Sequence, residues 1–122
     1  MRAVTAAQMR AIDAAAVARE GEVALMRAAG AAIARLIDRY ARGDGPVVGI
    51  AGNGNNGGDA YAALAAYEGA RRCVVYAGSS VGGSEARRDA RERALAGGVE
   101  ERALPPDPLV LQEAALVLDG VL

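Results

Sequence analysis

Residues 47–64 read VVGIAGNGNNGGDAYAAL: a short apolar run, a glycine and asparagine loop, then alanines at helical spacing. A brief apolar run bounded by turn residues is the pattern of a strand buried on both faces, as in a parallel sheet. Gly52, Gly54, Gly57 and Gly58 leave four positions without a Cβ. The backbone there can take positive φ and approach a bound group closely. Asn53, Asn55, Asn56 and Asp59 fill the gaps with short oxygen-bearing side chains that tolerate left-handed φ and cap helices. A strand, such a loop and a helix in that order aim several backbone N–H groups at one point, which suits an anion such as phosphate.

Upstream, Thr5 and Gln8 have capping-box spacing, which predicts a helix to about residue 20. Gly21 is expected to break it. A second helix then carries Val23, Met26, Gly30, Ile33, Leu36, Ile37 and Tyr40 at three- and four-residue steps and closes at Gly43-Asp44-Gly45-Pro46. The two helices are expected to cover one sheet edge or meet a second subunit. Downstream, the spacing predicts a helix over 58–68, a strand over 72–76, a glycine and serine loop over 78–83, and a helix capped by Ser84 and running to Leu95. Arg87, Arg88, Asp89, Arg91, Glu92 and Arg93 mark that last helix as largely solvated. A strand over 99–104, a short helix opened by Asp107-Pro108 and a strand over 114–118 ending at Asp119 follow. Strands alternating with helices predict an α/β fold: a Rossmann-like doubly wound parallel sheet, three-layer αβα, of order 3-2-1-4 and preceded by two N-terminal helices. Residues 1–122 are read as a single domain. Because the chain stops two residues after Gly120, where a ligand-holding loop belongs, it is expected to be a fragment lacking at least one loop and one helix.

Composition narrows the chemistry. The chain is 52% hydrophobic, rich in alanine, without Phe or Trp, so small residues must pack closely. A net charge of -1 offers no electrostatic footprint for nucleic acid or an anionic membrane, so neither is expected as a partner. All 14 basic residues are arginine, and there is no histidine. No imidazole base and no Schiff-base amine exist, which leaves carboxylates, amides and backbone groups. Cys73 is alone, which excludes a disulfide within the chain and a cysteine zinc cluster. Early charge and the lack of a long apolar run predict a cytoplasmic protein.

Gly52-Asn53-Gly54-Asn55-Asn56-Gly57 satisfies the G-x-G-x-x-G spacing of dinucleotide-binding loops. The acid that should follow at the end of the second strand is missing, since Tyr76-Ala77-Gly78-Ser79 stands there. An NAD-binding domain of an oxidoreductase is therefore the alternative reading. A P-loop needs Lys where Asp59 stands. Asp119, at the end of the fourth strand, is expected to face the Asn55-Asn56 loop. There a carboxylate with amide and carbonyl oxygens forms a hard-oxygen set for a cation, and the same carboxylate serves acid-base chemistry if burial raises its pKa.

With these features in view, the chain resembles the YjeF N-terminal domain family, whose enzymes are NAD(P)H-hydrate epimerases. Three segments carry the likeness: Thr5-Ala6-Ala7-Gln8-Met9-Arg10 with Asp13 and the later Leu25-Met26-Arg27-Ala28-Ala29-Gly30; the loop Gly52-Asn53-Gly54-Asn55-Asn56-Gly57-Gly58-Asp59; and Leu116-Val117-Leu118-Asp119-Gly120-Val121-Leu122. The resemblance implies epimerisation of the R and S forms of hydrated NAD(P)H, a metabolite-repair isomerase acting on the small molecule NAD(P)HX. It implies substrate binding by Asn55, Asn56, Gly57, Gly58 and Asp59, a potassium ion held by Asn56 and Asp119, acid-base work by Asp119, and a homodimer. A non-catalytic dimerisation module of the same family is a further alternative. Arg27 stands where the family usually has glutamate. No lysine matches the basic residue some members carry after the second strand, so Arg71 or Arg72 would have to take its place.

Overall fold

The computed structural model describes residues 5–78 and 83–121. Its elements are α1 (Ala6–Tyr40), β1 (Val47–Ala51), α2 (Asn55–Ala66), β2 (Cys73–Ala77), α3 (Glu85–Ala96), β3 (Glu100–Ala103), α4 (Pro108–Glu113) and β4 (Leu116–Gly120). The four strands form one parallel sheet of order β3-β2-β1-β4, the doubly wound order expected. The segment 79–82 of the glycine and serine loop and the side chain of Asp13 lie outside the described residues.

The capping box forms as read: the Gln8 amide donates to Thr5 Oγ1 at 3.2 Å and the Thr5 amide to Gln8 Oε1 at 2.9 Å. The helix it opens does not stop at Gly21. One continuous α1 replaces the two helices expected, because a glycine inside a helix costs only about 1 kcal/mol and the second half of α1 is held by packing. Val23, Met26, Gly30, Ala34 and Ile37 face the core, while Leu36 and Tyr40 are exposed. Gly30 lets the helices touch, since a Cβ there would lie 2.5 Å from Ala62. α1 thus packs on α2 and α3 rather than along a sheet edge.

The pleat divides the core. Val47, Ala51, Val75 and Ala77 face α1, α2 and α3, whereas Val48, Val74 and Tyr76 face the short α4 through Val110, Leu111 and Ala114. Helices cover both faces, which gives three layers. α4 starts as read, with Asp107 Oδ1 accepting from the Leu109 amide at 2.9 Å and proline at the first turn. α3 departs from its reading: Ala86, Ala90, Ala94 and Arg87 are buried. Alanines at steps of four allow it to lie close to α2, so only its outer face is solvated.

Candidate active site

β1 ends at Ala51, and α2 begins at Asn55, three residues earlier than expected. The asparagines therefore belong to the first helical turn, and Asn56 and Asp59 fall three residues apart on one helix face. Gly54 caps α2 at φ −91 and no side chain bonds the first-turn amides. None of the loop glycines has positive φ, nor does any non-glycine among the described residues. The freedom to take positive φ is not used at these four glycines, and what Gly52, Gly57 and Gly58 supply is close approach. A Cβ on Gly57 would overlap the Gly52 carbonyl, one on Gly58 would meet Met26 Cε at 2.5 Å, and one on Gly52 would meet the Val121 carbonyl at 2.8 Å.

β4 lies beside β1 with Asp119 opposite Ile50 and Gly120 opposite Ala51. The Gly52 amide extends this ladder by donating to the Gly120 carbonyl at 2.9 Å. Asn56, Asp59 and Asp119 come together with Ile33, Ala60 and Leu118 around a cleft of about 210 Å³. Asn55 does not join them. It accepts from Ser84 Oγ at 3.3 Å and lines a second hollow of about 290 Å³ with Met26 and the other side of Asp59. Gly57 and Gly58 are buried beneath the turn.

Asp119 is exposed, and its Oδ1 accepts from the Val121 amide at 3.0 Å. Burial pushes the Asp59 carboxyl, on α2, above its usual range. A groove of about 680 Å³ between α1 and α3 is lined by no residue of the glycine and asparagine loop. Two ion pairs cross it: Arg27 forks onto Asp89 at 2.7 and 3.0 Å, and Arg19 meets Glu85 at 3.3 Å. Arg27 therefore ties α1 to α3.

Arg71 and Arg72 sit before β2, at the end of the sheet opposite the loop. They bond the Gly43 carbonyl and Glu100 at 2.6 and 2.8 Å, so neither supplies a basic group at the site. The arginine that reaches the loop is Arg87, whose Nε and Nη2 donate to the Gly52 carbonyl at 3.1 and 2.9 Å, with the guanidinium 5.2 Å from the Tyr61 ring centre. Tyr61 in turn donates to Glu101 Oε2 at 2.6 Å, and Arg91 forks onto Glu101 at 2.7 and 2.9 Å. Arg87, expected to be solvated with the run of charges around it, is instead buried. Its signal is the spacing 87, 90, 94, which puts it on the alanine face.

Among the described residues no helix is long and apolar enough to cross a membrane. A comparison with curated proteins returns no match. The model of the family described as the YjeF-related protein N-terminus matches residues 22–122, from within α1 through the glycine loop to the end of β4, and the chain belongs to that family.

Proposed function

We propose that the protein epimerises hydrated NAD(P)H, interconverting the R and S forms of NAD(P)HX as a metabolite-repair isomerase. The observation that carries the reading is the single cleft in which Asn56 and Asp59 of the glycine-loop helix meet Asp119 of the neighbouring strand, in a chain of the YjeF N-terminal family. Inverting a hydroxyl-bearing carbon requires one of its bonds to a heteroatom to break and re-form on the opposite face with no net change, and a carboxylate can give and take back the proton that this exchange moves. Asp119 has that role in the proposal. Asn55, Asn56, Gly57, Gly58 and Asp59 bind the substrate, and the first turn of α2, with no side-chain cap bond, offers amides suited to its phosphates.

Potassium belongs to the same reading. Among the described residues no group of three His, Cys, Asp or Glu could hold a metal ion. An amide oxygen from Asn56 and a carboxylate from Asp119 bordering one cleft are hard donors of the kind an alkali cation takes, and Asp119 Oδ2 has no protein donor among the described residues. Asn56 and Asp119 would hold the ion, which would supply fixed positive charge beside the substrate. A homodimer and a cytoplasmic location complete the proposal.

The deciding experiment incubates the protein with purified R-NADHX and follows the S form by chromatography, with and without potassium. Conversion above the spontaneous rate supports the reading. No conversion, together with tight binding of intact NAD, would favour the dinucleotide-binding alternative. Neither conversion nor binding would leave the non-catalytic family module.

A further inference from the structure

Arg87 is the buried charged side chain among the described residues, 1% exposed. Its backbone is fixed by the Ser84 cap, whose Oγ accepts from the Arg87 amide at 3.2 Å. Gly83, at φ +89, closes over its side chain so tightly that a Cβ there would lie 2.7 Å from Arg87 Cδ. No carboxylate bonds the guanidinium among the described residues. Its partners are one carbonyl oxygen and the face of Tyr61. Glu101, reached through Tyr61, feels the Arg87 charge but does not bond the guanidinium, and burying a cation without a bonded anion is costly. The hydrogen bonds that the guanidinium makes both go to one oxygen.

That oxygen belongs to the hinge of the site. The Gly52 amide donates to the Gly120 carbonyl at 2.9 Å, next to Asp119, while the Gly52 carbonyl receives both Arg87 donors and has Gly57 pressed against it. The residue is thus tied to β4 on one side and to α3 on the other, with the first turn of α2 resting on it. We infer that Arg87 is a positioning residue: by clamping the Gly52 carbonyl it sets the first turn of α2, and with it Asn56, against Asp119. Its consequence for turnover rests on the epimerase reading, whereas its consequence for the loop rests on geometry alone.

The test separates the two. In Arg87→Met, residue-resolved amide exchange should quicken at Gly52 by about tenfold or more while Val48 and Val75 in the sheet change less than about threefold. In Arg87→Lys, which keeps the charge and loses the fork, Gly52 should fall between the two. If the native protein turns over NAD(P)HX, kcat in Arg87→Met should drop about tenfold or more with KM little changed, and Arg87→Lys should recover part of it. Native exchange at Gly52, a uniform rise that includes Val48 and Val75, or a loosened loop with native kcat would each overturn the inference. Should Arg87→Met fail to fold, Arg87→Lys decides by the same criteria. A native protein without turnover counts against the epimerase reading only, and exchange at Gly52 still decides the role of Arg87.

Discussion

Gly120 closes directly on Asn56: a Cβ on Gly120 would lie 2.5 Å from the Asn56 carbonyl oxygen and 3.0 Å from that of Ile50. Both obstacles are backbone, so neither can rotate aside. This contact brings the end of β4 against the first turn of α2 and allows Asp119 and Asn56 to border one cleft.

Gly120→Ala should therefore force the strand end and the helix apart. The cost expected of overpacking at such a site is about 1–3 kcal/mol. Urea unfolding should show a lower midpoint at unchanged slope. An unchanged midpoint would mean that the contact is looser than the backbone geometry requires.

Two glycines of α1 should respond in opposite directions. Around Gly21 nothing lies within 4 Å of a Cβ, so Gly21→Ala adds only helix propensity and should stabilise by about 0.5–1 kcal/mol. At Gly30 a Cβ would meet Ala62 Cβ at 2.5 Å and its carbonyl oxygen at 2.7 Å. Gly30→Ala should destabilise by about 1–3 kcal/mol. Thermal melts of the two variants check the sign of each, and equal shifts would refute the helix contact.

The same pair shows what the sequence does and does not reveal. Gly21 and Gly30 look alike as letters, yet one is a solvent-side residue in a helix that runs past it and the other is the contact point with α2. Burial, which distinguishes them, depends on a partner more than 30 positions away. The strand-loop-helix at 47–64 was legible because apolar run, glycines and alanines all agree locally, and the strand order followed from alternation. Asp119 beside the asparagine turn followed from that order. The start of α2 was misplaced because Asn55 and Asn56 have turn-like propensity, which the helix overrides once Gly57 and Gly58 let it sit on Gly52 and Met26. Arg87 was hidden for the reverse reason, since only tertiary contact turns one arginine of a charged helix inward.

The Tyr61–Glu101–Arg91 chain predicts an alkaline limit to stability. Burial, with the hydrogen bond to Glu101 and its negative charge, pushes the Tyr61 hydroxyl up to about 12, against opposing effects of Arg87 and Arg91. A folded pKa above the unfolded value near 10 means that the contribution of Tyr61 is complete below pH 10 and is lost as pH rises through 12. At the acid end the Arg91 hydrogen bond holds Glu101 below the usual carboxylate range, so its contribution is lost as pH falls through that lowered value. Tyr61→Phe should cost about 1.5–3 kcal/mol at neutral pH. The gap in melting temperature between native and variant should narrow from pH 10 to 12. A constant gap across that range would exclude the linkage.

Asp119→Asn separates charge from geometry at the proposed acid-base group. The Val121 amide donates to Asp119 Oδ1 at 3.0 Å, and the asparagine side chain keeps an oxygen able to accept that bond. Asp119 is exposed, so stability should change by no more than about 0.5 kcal/mol. Turnover should fall by about 10²–10⁴-fold, the usual worth of a positioned acid-base group, and activation by potassium should weaken with it. Asp119→Ala, which also removes the acceptor, should cost additional stability and freely release the Val121 turn. Because Asp59 borders the same cleft and burial raises its carboxyl, Asp59→Asn supplies the control. If Asp119→Asn keeps native kcat while Asp59→Asn abolishes it, the proton-transfer role passes from β4 to α2. A loss confined to Asp119→Asn, with Asp59→Asn raising KM alone, would assign proton transfer to the strand and substrate contact to the helix.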